Sequence, residues 1–300
     1  MKLFWITLLI SSLVSCHNFK EDRQLSFALE RAGENRRELE QVLEHYKNEP
    51  LKEKAARFLL ENMDGHFAHT GEAVDVYDNY MDSVFRHCNG DRVFWIMKYD
   101  TILQRTGLDL ELSQDERLYD AQSVTADFLT EHIDSAFTVW QQNWNKQYSF
   151  EMFCRYVLPY RIGNEKTSLW RKTFTVPSWV REAYAPNQDN STYAYGMAND
   201  ILGGMRSVIY YPPQFLPDLP LTALEHVKSA SCKEYAHLCV AVLRAHGLPA
   251  TIDFTPQWGN RGLGHEWCVF FPDNHSFIPF FTLGVNAFEF SINVMASIIS

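Results

Sequence analysis

Apolar residues recur at helical spacing along the front of the chain. From Arg36 to Lys47, Leu39, Val42, Leu43 and Tyr46 fall at i, i+3, i+4 and i+7, one apolar stripe on a helix. Asn48-Glu49-Pro50 ends that run. Leu51 to Met63 carries a similar stripe in Ala55, Phe58, Leu59 and Met63, and Asp64-Gly65 stops it. Val124 to Gln142 predicts a third helix, with Leu129, Ile133, Phe137 and Trp140 on one face. Ser149 is placed as an N-cap for Phe150 to Leu158, with Pro159 as terminator. Asp75 to Lys98 is rich in aromatics and its period is ambiguous. The region from about 20 to 147 is therefore expected to be mostly helical, with no repeat or low-complexity linker after it.

The pattern changes in the second half. Ala185-Pro186-Asn187-Gln188-Asp189-Asn190 is polar and turn-forming. Tyr195 to Met205 predicts a helix, weakened at its end by Gly203-Gly204. Tyr211-Pro212-Pro213 and Pro217 to Pro220 mark an extended connection. Thr222-Ala223-Leu224-Glu225 has capping-box spacing and predicts a short helix. Lys233 to His246 is apolar on one face through Ala236, Val240 and Leu243, with Gly247 as a C′ residue. Leu248 to Phe254 and Gly264 to Phe271 then read as strands.

Composition narrows the class. The apolar fraction is 46% and the charged fraction 21%, which is globular rather than disordered. The net charge of −10 offers no basic field for nucleic acid, so no nucleic-acid partner is expected. The first residues are a targeting segment. Lys2 is followed by a mostly apolar stretch to Val14, too short to span a bilayer comfortably and suited to a secretory signal. Leu13-Val14-Ser15-Cys16 resembles a bacterial lipobox, in which cleavage precedes an acylated Cys16. The expectation is a signal peptide over 1–15 and a chain tethered by lipid at the cell envelope, on the outer membrane or cell surface. Five further cysteines (Cys88, Cys154, Cys232, Cys239 and Cys268) are odd in number and irregular in spacing, which does not read as a disulfide framework.

The chemistry lies between Ser229 and Phe271. Cys232 sits where a helix begins, so the helix dipole and free backbone N–H groups favour its thiolate. Those N–H groups can also serve an oxyanion. His265 opens the second strand and can hold the proton. A helix with Cys at its N-terminus, a strand, and a strand with His is the arrangement that papain-like nucleophilic catalysis needs. Cys239 is expected in the core, Cys268 in a structural role, and Trp267 on the His265 face. His237 and His246 are expected at the surface or as caps. His66 and His69 lack a carboxylate partner, and no metal site is expected.

Three motifs occur in order: Ser231-Cys232-Lys233-Glu234, the run Leu243-Arg244-Ala245-His246-Gly247-Leu248-Pro249-Ala250, and Gly264-His265-Glu266-Trp267. Together they resemble the transglutaminase-like superfamily over roughly 190–280. Leu158-Pro159-Tyr160-Arg161 and Thr255-Pro256-Gln257-Trp258-Gly259-Asn260-Arg261 are also similar to a group of bacterial lipoproteins with a helical region before such a core. The resemblance implies an α+β fold: a helical region over 16–147, then a papain-like transglutaminase core over 148–300. It implies a nucleophile at Cys232, a general base at His265, no cofactor, and a peptide or protein-like amide as substrate. Gln257, Trp258 and Asn260, in the loop between the strands, are candidates to line the substrate.

The superfamily's third member is an acid on the next strand. Here that position falls on Phe281, or on Phe280 or Thr282 with a small shift. Asp273 and Asn274 are the polar replacements at hand. From Phe277 to Ser300 only Glu289 is charged, which raises truncation of the last strands or a lost reading frame near Phe280. Two functions follow: Cys-dependent acyl transfer or amide hydrolysis through a thioester, or an inactive binding or scaffold module that kept the fold.

Overall fold

The computed structural model describes residues 23–87, 116–174, 191–204, 209–210, 217–224, 229–257 and 264–280. Its helices are α1 (23–31), α2 (Arg36–Tyr46), α3 (Pro50–Glu61), α4 (Glu72–His87), α5 (Ala126–Trp140), α6 (Phe150–Tyr156), α7 (Ser191–Gly204), α8 (Leu221–Leu224) and α9 (Cys232–Ala245). Its strands are β1 (Phe67–His69), β2 (Arg117–Tyr119), β3 (Ile209–Tyr210), β4 (Ser229–Ala230), β5 (Ala250–Thr255), β6 (His265–Phe270) and β7 (Ile278–Phe280). The chain divides into two compact units, 1–67 with 118–133 and 68–117 with 134–300. No helix among the described residues is long and apolar enough to cross a membrane.

The first unit is helical, as the periodicity predicts. Leu39, Val42 and Tyr46 are buried on α2, and Ala55, Ala56, Leu59 and Leu60 on α3. Pro50 opens α3 rather than merely closing α2, because proline at a first helical position loses no intrahelical hydrogen bond. Polar side chains add long-range ties. Asn35 donates to the carbonyls of Ala121 (3.0 Å) and Val124 (2.9 Å), and the Glu38 carboxylate accepts from Ala126 N–H (2.7 Å). Glu38 thereby caps the start of α5, near the positive end of its dipole.

The second unit has a mixed core. Tyr77, Trp170, Met197, Leu221, Leu243 and Phe270 are among its fully buried side chains. The ambiguous aromatic segment is helical at its start as α4, and Tyr77 and Met81 enter this core. Ser149 caps α6 as expected, accepting from Met152 N–H at 3.2 Å. The predicted helix over 195–205 begins earlier, at Ser191, and Thr222 lies inside α8 rather than capping it. Strands β5, β6 and β7 form an antiparallel sheet. Ala250 pairs Phe270, Thr255 pairs His265, and Cys268 pairs Phe280. A shorter parallel pair joins Ile209 to Ser229 and Tyr210 to Ala230.

The exit from α9 is the most constrained turn. Gly247 has φ +76°, a left-handed conformation that favours glycine. A Cβ there would overlap Asn145 Nδ2 and come within 2.9 Å of the Val139 carbonyl. The same Asn145 amide donates to His246 O at 3.1 Å, beside Trp144 Nε1 at 3.1 Å. Gly247→Ala is therefore expected to destabilise by about 3 kcal/mol, from left-handed strain plus overpacking. Urea unfolding at constant m-value would measure it.

Candidate active site

Strand β4 ends at Ala230, and one residue later the chain turns into a helix. Ser231 is extended (φ −75°, ψ 174°) and serves as N-cap in a capping box with Glu234, whose carboxylate accepts from Ser231 N–H at 3.0 Å. Cys232 is thus the first residue of α9, as expected. It is a half-buried free thiol, whereas Cys154, Cys239 and Cys268 are buried. Burial raises the thiols of Cys154 and Cys239 to about 12 and pushes that of Cys268 up as well, so all three are poor nucleophiles.

His265 is the first residue of β6 and is buried. Burial lowers its pKa, against the opposing pull of the Glu266 charge, which favours the neutral imidazole that a general base requires. Trp267 lies two residues on, on the same strand face, with ring centroids 5.8 Å apart. The alternate face packs on α9: Cys268 and Phe270 share a core with Cys239 and Leu243. His237 meets Glu266 from the same side, with Nε2 3.7 Å from Oε2. These contacts run in step, from 237 against 266 to 239 beside 268, so α9 and β6 run in the same direction. Cys232 and His265 consequently open their elements at the same end of one packed helix–strand pair, with the His265 side chain on the strand face opposite the one that packs on α9.

The other expected site residues are placed differently. Gln257 is exposed, and its carbonyl accepts from Thr255 Oγ1 at 3.0 Å. Trp258, Asn260 and Cys16 lie outside the described residues. Asp273 accepts from the backbone N–H of His275 and Ser276, both at 2.7 Å, and from Ser276 Oγ at 3.1 Å. Those bonds hold its carboxyl below the usual range within its own turn. Asn274 donates to Gln147 O (2.7 Å) and accepts from Ser149 N–H (2.8 Å). Both side chains are thus committed to fastening the turn before β7. Phe280 occupies one of the three acid positions and packs against Phe270, with centroids 6.1 Å apart. Phe281 and Thr282 lie outside the described residues.

Two histidines depart from expectation. His246 does cap α9, but it is buried, with Nδ1 2.7 Å from Val242 O. His237 is neither a cap nor a surface residue; it is 5% exposed. It belongs to a polar network that spacing does not reveal, because its partners lie far apart in the chain. Glu165, Asp218 and His237 bring ligand-type atoms within 4.8 Å of one another. The carboxylates already have donors: Glu165 accepts from Ile162 N–H (2.9 Å) and Gly163 N–H (2.7 Å). Asp218 accepts from Asn164 N–H (2.9 Å) and pairs with the Lys233 ammonium. A cation would have to compete with that ammonium, so the set reads as an ion-pair network rather than a metal cradle.

Burial alone would lower the His237 pKa, but Glu266, Glu165 and Asp218 outweigh it and raise the value. A histidine with a raised folded pKa stabilises fully below the ordinary histidine range, and the gain is lost as pH rises through the folded value. The unfolding midpoint is expected to carry that alkaline-side loss, and His237→Gln to flatten it. His246 and His265, both lowered by burial, act with the opposite sign and weaken the fold as pH falls. Thermal melts of both chains across neutral pH would separate the contributions.

Residues 177–281 match the family model of the transglutaminase-like superfamily, a span that includes both Cys232 and His265. The mixed helix and sheet architecture agrees with the expected α+β class and a transglutaminase-like core. No curated protein and no solved structure matches the chain.

Proposed function

We propose that this transglutaminase-like core is a cysteine-dependent acyltransferase or amide hydrolase, carried at the cell envelope by a lipid on Cys16. Cys232 would attack an amide carbonyl as His265 takes the thiol proton. The C–N bond breaks, the proton passes to the leaving amine, and a thioester remains on Cys232. Water or a second amine then adds to the thioester and releases the thiol. Hydrolysis is the default where water is abundant. The observation that carries this reading is the shared end of α9 and β6, where Cys232 and His265 each open their element. The lowered pKa of His265 suits it to the role of base.

A specific observation favours a second reading. Phe280, one of the acid positions, is apolar and packed on Phe270. If that departure at the acid position abolishes catalysis, the core would serve as a binding or scaffold module. Incubation with p-nitrophenyl acetate, followed by peptide mass spectrometry, decides between them. Catalysis predicts an acetyl group on the peptide containing Cys232, lost in Cys232→Ala. An unmodified Cys232 in the wild type would favour the scaffold.

A further inference from the structure

We propose that His237 is a positioning residue for the Cys232–His265 pair, tying the strand that carries His265 to the first turns of the helix that carries Cys232. The inference rests on the catalytic reading of those two residues. His237 lies on α9, five residues after Cys232. Its Nε2 stands 3.7 Å from the carboxylate of Glu266, the chain neighbour of His265. A shift of β6 along α9 would have to break this pair.

The ring is also crowded by the loop at Gly163. A Cβ at Gly163 would meet His237 Cε1 at 2.5 Å and Asp218 Oδ2 at 2.7 Å, so the loop backbone closes directly over the imidazole. The loop is fastened by Glu165, which folds back onto the N–H groups of Ile162 and Gly163. Asp218 is fastened by Asn164 N–H and Lys233. The charged groups facing His237 are therefore Glu165 from the loop, Asp218 from the segment before α8, Lys233 and Glu234 from α9, and Glu266 from β6. Carboxylates outnumber the single ammonium, which favours the protonated form of the imidazole and raises its pKa against the effect of burial. Glu266 responds in kind: its pairing with His237 lowers its pKa despite partial burial. Buried charged groups linked in one network favour one geometry, and loss of a member leaves its partners less well compensated.

The test uses the full chain with His237→Gln, Glu266→Gln and the double variant, and reads acetyl transfer from p-nitrophenyl acetate to Cys232 against pH. Each single change is expected to slow acylation roughly tenfold at neutral pH, since small misplacements of reacting groups carry losses of this order. The double variant should lose no more than either single one, because the two residues act as a unit. The wild-type profile should decline on the alkaline side as His237 loses its proton, and His237→Gln should lack that limb. A purely structural role would lower the unfolding midpoint and leave the shape of the pH profile intact, which overturns the proposal. If His237→Gln does not fold, Glu266→Gln alone carries the same expected loss, and an unchanged rate there overturns it. His265-dependent acylation unaffected by either Gln variant removes the positioning role and leaves the catalytic reading standing. Absence of Cys232 acylation in the wild type removes both.

Discussion

His265→Ala is expected to slow acylation of Cys232 by roughly 10²–10⁴-fold, the usual contribution of a positioned general base. The reason is local. Cys232 opens α9 behind the Ser231–Glu234 capping box, so its thiol sits at the positive end of a 14-residue helix. A helix terminus cannot carry the proton to the leaving group. A neutral imidazole can take it from the thiol and pass it on, and burial favours that form of His265. Cys232→Ala should remove the acyl adduct from the peptide that contains position 232. The buried thiols of Cys154, Cys239 and Cys268 give no alternative site with comparable reactivity. Stopped-flow release of p-nitrophenol, paired with peptide mass spectrometry, measures both variants. His265 makes its strand pair with Thr255 through the backbone, so the Ala variant keeps the ladder. A matched unfolding midpoint would confirm that the loss lies in chemistry.

Arg244→Ala is expected to have the largest effect on stability. Its guanidinium is buried and donates to three carbonyls, of Tyr156 (3.1 Å), Ala250 (3.0 Å) and Arg161 (3.0 Å). It thus joins the end of α6, the start of β5 and the loop that covers His237. Burial lowers its pKa to about 10, still high enough to keep the charge at neutral pH. Removing it leaves three carbonyls without that donor, at roughly 1–3 kcal/mol for each group left unsatisfied. Relief of the buried charge offsets part of this, and a net loss on the order of 4 kcal/mol is expected. That is a large share of the stability of an ordinary domain. Arg244→Lys should recover little, because one ammonium cannot span carbonyls in three directions. Urea unfolding of the three chains measures the ranking. Arg171 supports the same place by donating to the Arg244 carbonyl at 2.6 Å, with its guanidinium 4.6 Å from the Trp170 ring.

What the sequence made legible was local. The stripes on α2, α3 and α5, the Ser149 cap and the Gly247 exit follow from spacing and turn chemistry within a dozen residues. The start of α9 at Cys232 was legible for the same reason, although its capping box at Ser231 and Glu234 could have been read from the same four-residue spacing. The polar network was not legible. Glu165, Asp218, His237 and Glu266 come from four separate stretches, and nothing in the periodicity of any one of them points to the others. An isolated histidine between apolar helix positions reads as a surface residue until a carboxylate from another strand is brought to it. Arg161 shows the same limit: it donates to the Glu165 backbone carbonyl, and the Glu165 carboxylate accepts from the loop N–H groups, a pairing of backbone with side chain that residue types alone do not reveal. The acid position was legible as a departure, and Phe280, partly buried against the core, is consistent with it.

The rate of Cys232 alkylation by iodoacetamide at neutral pH, in the wild type and in His265→Ala, tests the central claim most directly. If His265 takes the thiol proton, the wild-type Cys232 is alkylated several-fold faster than Cys232 in His265→Ala. Equal rates in the two proteins would contradict the account.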